Sequence, residues 1–116
     1  MTISTELYTQ TSQSISNVEY SLTANSTSIA SLTTAAVVTL WLDAPNMQAG
    51  DEFEVAIREK VVTGGTQRRM ILANLVGVQA EPFVTGPYQV GIGWDLTLLR
   101  KAGSDRAFSW SIRSIN

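Results

Sequence analysis

Three carboxylates stand close together at Asp51, Glu52 and Glu54. On a strand, Glu52 and Glu54 would share one face, about 6–7 Å apart. Two carboxyl groups at that spacing suit glycoside hydrolysis or calcium binding. The rest of the chain offers such chemistry little support. Its 116 residues include no cysteine and no histidine. That removes disulfide staples, Cys/His zinc sites, thiol nucleophiles and histidine general bases. The residues around Asp51 lack the D-x-D-x-D-G spacing of a calcium loop. Charged residues alternating with an apolar stripe need no catalytic cause, and this face continues into Arg58 and Lys60. An enzyme would have to work with carboxylates alone, from among Glu52, Glu54, Asp95 and Asp105. The expectation is a non-enzymatic protein with no catalytic residues, no metal ligands and no cofactor.

Other polar features are equally spare. Gly91-Ile92-Gly93-Trp94 looks like half a phosphate loop, but a strand pattern follows where a helix N-terminus would be needed. The pairs Arg68-Arg69 and Arg100-Lys101 point to opposite faces if they lie in strands. With a formal charge of −2 and an isoelectric point near 4.9, the chain is not expected to bind nucleic acid. Three tryptophans could form a sugar-stacking platform. Alternation instead assigns Trp94, Phe108, Trp110 and Phe53 to a core. Trp41, Phe83 and Tyr88 are left as contact residues for protein or sugar.

These residues must be positioned by strands. Val18, Tyr20 and Leu22 alternate with Glu19 and Ser21 over 17–23, followed by a turn at Ala24-Asn25-Ser26 and a short strand near 27–32. Residues 35–43 carry Val38, Leu40 and Leu42 on one face and Val37, Thr39 and Trp41 on the other. That pattern fits a strand covered on both faces, or one presenting Trp41 at a contact surface. Residues 52–62 place Phe53, Val55 and Ile57 on a core face and Glu52, Glu54, Arg58 and Lys60 in water. Gly64-Gly65 predicts a type I′ hairpin turn into a return strand at 67–79. Residues 80–87, with Pro82, Gly86 and Pro87, read as a surface loop, with a short strand at 88–92. Residues 94–101 and 106–115 read as a closing hairpin. Matching their apolar faces requires an odd-length loop with a bulge at Gly103, placing Trp110 beside Leu96 or Leu98. Six to eight short strands without a helical period predict an all-β fold, an antiparallel β-sandwich of jelly-roll or Greek-key type.

Residues 1–16 are polar, and 17 of the first 40 residues are Ser or Thr. The expected division is an extended N-terminal arm over 1–16 and a sandwich domain over 17–116, with the arm either frayed or ordered against a neighbour. Residues 1–57 hold six acids and no base; residues 58–116 hold eight bases and four acids. Copies meeting arm to body would present complementary charge. No secretory signal is legible, and the longest near-apolar run, 35–42, is too short to cross a bilayer, so no membrane partner is expected.

The Ser/Thr-rich arm, the segment LDAPNMQAGDEFEVAIREKVV over 42–62 and DRAFSWSIRSI over 105–115 resemble small virion structural proteins of tailed bacteriophages. Capsid decoration (cement) proteins and related head or tail accessory proteins are the nearest in style. The resemblance implies a β-rich module, often trimeric, whose arm lies across capsid subunits and whose body projects outward. It implies the major capsid protein or other virion proteins as partners, self-association as a trimer, and a place in the virion after assembly in the host cytoplasm. Ile3, Leu7, Tyr8, Trp41, Phe83 and Tyr88 are the expected partner-binding residues. The alternative is a carbohydrate- or receptor-binding module of a phage tail or head fibre, with a glycan as ligand.

Overall fold

Phe53, Val55 and Ile57 alternate with polar neighbours, and a chain of that period can bury the apolar set only as a strand. In the computed structural model, which describes residues 4–115, this segment is β4 (Glu52–Glu59). The other strands are β1 (Ser4–Ile15), β2 (Tyr20–Ser21), β3 (Ala36–Asp43), β5 (Arg68–Val76), β6 (Phe83–Val90), β7 (Asp95–Ala102) and β8 (Arg106–Ile115). They form two antiparallel four-stranded sheets, ordered β1-β8-β3-β6 and β2-β7-β4-β5. The pairs β1–β8, β2–β7, β3–β6 and β4–β5 are those of one long hairpin rolled up on itself. This is the jelly-roll form of the β-sandwich.

The inner faces hold the core. Val38, Leu40 and Leu42 of β3 meet Phe53 and Val55 of β4, Leu96 and Leu98 of β7, and Phe108, Trp110 and Ile112 of β8, all buried. Three edge-to-face ring pairs cross the core: Phe53–Phe108 at 4.7 Å and Tyr20–Trp110 at 6.0 Å between the sheets, and Tyr8 of β1 with Trp94, just before β7, at 6.2 Å. Such pairs add about 0.5–1.5 kcal/mol each beyond burial. The buried indoles have partners: Trp94 Nε1 donates to the Thr34 carbonyl and Trp110 Nε1 to the Leu22 carbonyl.

Four expectations change. First, β7 and β8 lie in different sheets, so they form no hairpin. Trp94, Leu96 and Leu98 face Phe108, Trp110 and Ile112 across the core instead of lying beside them. Apolar matching is satisfied equally well face to face, and a three-residue link (103–105) carries the chain over.

Second, Gly64-Gly65 is not a type I′ turn. Strand pairing ends at Glu59↔Arg68, and only Gly64 has positive φ, in a turn closed by the Gly65 N–H donating to the Val62 carbonyl. The longer connection is held from outside: the Lys60 N–H donates to the Ile92 carbonyl, and Gln67 Nε2 to the carbonyls of Ala30 and Gly93.

Third, residues 83–87 belong to β6 and are not loop. Gly86 and Pro87 form a bulge between the Val38↔Tyr88 and Leu40↔Thr85 pairs. Proline is accommodated because β6 is an edge strand and the bulge needs no ladder donor there. Gly86 is required by space: at φ +117° a Cβ would lie 2.8 Å from the Val38 carbonyl oxygen. Fourth, residues 27–32 form no strand, only a single bridge at Leu32↔Trp94.

The segment expected as an arm is extended from Ser4 to Ile15, and in the single chain it pairs with β8. Its ladder breaks at Leu7 and at Thr11-Ser12, where Ser12 takes φ +52°. Ile15 is its one fully buried side chain among the described residues.

Candidate functional site

The outer face of the β2-β7-β4-β5 sheet is where the sequence placed a solvated row of charges. Glu54 is instead buried, and with it Ala56, Asp95 and Thr97. Glu19 explains much of this. Although it follows the exposed Val18, its carboxylate turns onto the sheet and accepts from Arg58 Nη2 (2.6 Å), Arg69 Nε (3.0 Å) and Thr97 Oγ1 (2.6 Å). Burial pushes Glu19 up, but the bonds from Arg58, Thr97 and Arg69 outweigh it and hold the group below the ordinary glutamate value. Arg69 Nη2 also lies 2.5 Å from Glu54 Oε1. That contact is an ion pair without hydrogen-bond alignment, since neither atom has a hydrogen-bond partner.

Asp51 holds the other end. It is buried beneath the β7–β8 link and accepts from Arg106 Nε (2.6 Å), the Gln48 N–H (2.8 Å) and the Ser104 N–H (3.2 Å). The Arg106 guanidinium, with these amides, lowers its pKa to about 2. Asp95 is also buried and accepts from Thr23 Oγ1 and from the Ala30 and Leu96 N–H groups. Asp105 pairs with Arg100 on the surface. The carboxylates that could have served catalysis are thus distributed among separate structural partnerships. Among the described residues, no group of three or more Asp or Glu stands close enough to hold a metal ion.

The expected contact residues divide. Leu7 lies exposed at the first β1 bulge, and Trp41 is 39% exposed on the outer face of β3. Tyr8, Phe83 and Tyr88 are partly buried and pack against the core; Tyr88 also shares a hydrogen bond with Thr85. Ile3 lies outside the described residues. Of the three tryptophans, only Trp41 remains available to a partner. Its Nε1 donates to Thr39 Oγ1, and the Arg113 guanidinium lies over its ring, Cζ 4.2 Å from the centroid.

One apolar surface escaped the sequence reading. β5 is the free edge of its sheet, and Ile71 (56% exposed), Met70 and Val76 are open along it. Val61 and Val62 before it, and Val78 after it, are also exposed. These six account for nearly half of the thirteen exposed large hydrophobics among the described residues, so the exposure is concentrated. The signal was present in the sequence, since residues 70–76 contain no charge and no proline. What could not be read was that β5 would be an edge.

No family model matches the chain, and neither a curated protein nor a solved structure matches it. Function is therefore argued from these surfaces.

Proposed function

We propose that the protein acts by assembly, as a non-enzymatic structural component of a virion of the capsid-decoration kind. It would bind virion proteins, the major capsid protein foremost, and copies of itself. The observation that carries this reading is the β5 edge, the most lightly defended of the four sheet edges. Sheet edges are normally blunted by shortness, proline, bulges or charge. The other three edges are: β2 is two residues long, β6 carries Pro87 at its bulge, and β1 is polar and twice interrupted. β5 is nine residues long; it carries Arg68 and Arg69 at its start and one bulge at Leu72, but residues 70–76 have neither charge nor proline. An open ladder flanked by exposed Val, Ile and Met is suited to strand addition or packing against a protein partner.

The polar chemistry supports the same reading. Asp51, Glu19, Glu54 and Asp95 are engaged in holding strands and loops together. Repeated copies on a shell would gain avidity from weak single contacts. The test is particle binding. Purified chain is mixed with capsid shells and sedimented, with Ile71→Lys as the altered form. Co-sedimentation of the native chain and its loss in Ile71→Lys are expected. Equal occupancy by both would exclude the β5 edge as the docking element.

A further inference from the structure

Trp41 and its surroundings are not used by an edge-mediated assembly. β3 is an interior strand, and Trp41 projects from its outer face into a shallow groove of about 300 Å³. Thr9 of β1, Ser109 and Arg113 of β8, Asp43 of β3 and Pro82 also line it. The register builds this arrangement. Trp41 lies beside Ser111, which lies beside Thr9, so the groove crosses three strands, about 10 Å. Asp43 lies beside Ser109, one side-chain row further along.

We infer that this groove is a binding site for a neutral pyranose sugar, one or two rings of a glycan. The lining selects that class. The exposed apolar surface is one indole and Pro82 within the groove, with Val84 beside Trp41 on β6, a patch too small to anchor a protein. Both β3 and β8 already have neighbours on each side, so no backbone ladder is open to a peptide strand. Around the indole stand hydroxyls and a carboxylate, acceptors and donors for a ring of vicinal hydroxyl groups. Asp43 lines the groove, and Arg113 lies beside Glu6, which also accepts from Ser111 Oγ, so the surroundings carry a slight acidic excess that disfavours an anionic ligand. A pyranose has a C–H face for the indole and hydroxyls at its rim, and it fits the smallest ligand-pocket volumes of about 300 Å³.

Arg113 acts as a positioning residue. Its guanidinium over the indole, with Nε donating to Ser111 Oγ, fixes the ring plane in advance of binding. Because β1 supplies Thr9, the site is complete only while β1 lies on β8.

The test uses the full chain on an array of immobilised neutral glycans ending in glucose, galactose, mannose or N-acetylglucosamine. Binding to at least one terminal sugar is expected. Trp41→Ala should weaken it about tenfold or more, Trp41→Phe should keep part of it, and Asp43→Asn should weaken it separately. Thermal unfolding of each variant shows whether the fold is intact. Capsid co-sedimentation of Trp41→Ala, expected to be unchanged, keeps this test distinct from that of assembly. Absence of binding to every sugar overturns the inference. So does undiminished binding by a folded Trp41→Ala variant.

Discussion

At the scale of residues, Asp51, which the sequence offered for chemistry, and Glu19, which it did not, are both structural clasps. Asp51 fills the space beneath the β7–β8 link so closely that Gly103 has no alternative. At φ +85°, a Cβ there would lie 2.0 Å from Asp51 Oδ1. Gly103→Ala is expected to destabilise by about 1–3 kcal/mol or more, from left-handed strain and the collision together. A fall in Tm of roughly 5 °C or more checks it. Asp51 and Glu19 both have pKa values lowered by folding. Their stabilisation is fully present above their unfolded values and is lost as pH falls through the folded ones. For Asp51 the window runs from about 4 down to about 2. Denaturant unfolding between pH 6 and 2 should be level above pH 5 and fall steeply below 4. Asp51→Asn should flatten that fall. The sequence held the charges of these clasps, but their partners lie 39 to 78 residues away, beyond any local pattern.

At the scale of elements, the period-2 stripes of β3, β4, β7 and β8 were legible because alternation identifies the buried face of a strand. It does not identify the neighbour. The β7–β8 link therefore read as a hairpin, although its strands face each other across the core. The β6 strand was hidden because proline normally argues against a strand, and only edge position with a bulge makes it acceptable. β1 was legible as extended but not as docked. Its attachment is a backbone ladder with few buried side chains, which leaves little apolar signature. Deleting residues 2–16 should lower the Tm of the isolated chain, since Ile15 leaves the core and β8 becomes an edge. An unchanged Tm would mean that β1 does not rest on β8 in solution.

At the scale of the whole molecule, the uneven charge acquires a geometric meaning. The long hairpin that rolls into the jelly roll turns between β4 and β5, close to where the acidic part of the sequence gives way to the basic part. Folding lays one limb against the other. Glu19 and Glu54 meet Arg69, and Asp51 meets Arg106, within a single chain. Half of the six acids of 1–57 are thus paired internally with bases of 58–116, so the complementarity that in sequence suggested contacts between copies is used in part within one chain. On the proposed reading, association then falls to the apolar β5 edge. Sedimentation velocity of the native chain and of Ile71→Lys, over a wide concentration range and with purified capsid shells, tests this most directly. The native chain should form a discrete oligomer or a shell-bound species, while Ile71→Lys remains a folded, free monomer. A native chain that stays monomeric and unbound at every concentration would contradict the account.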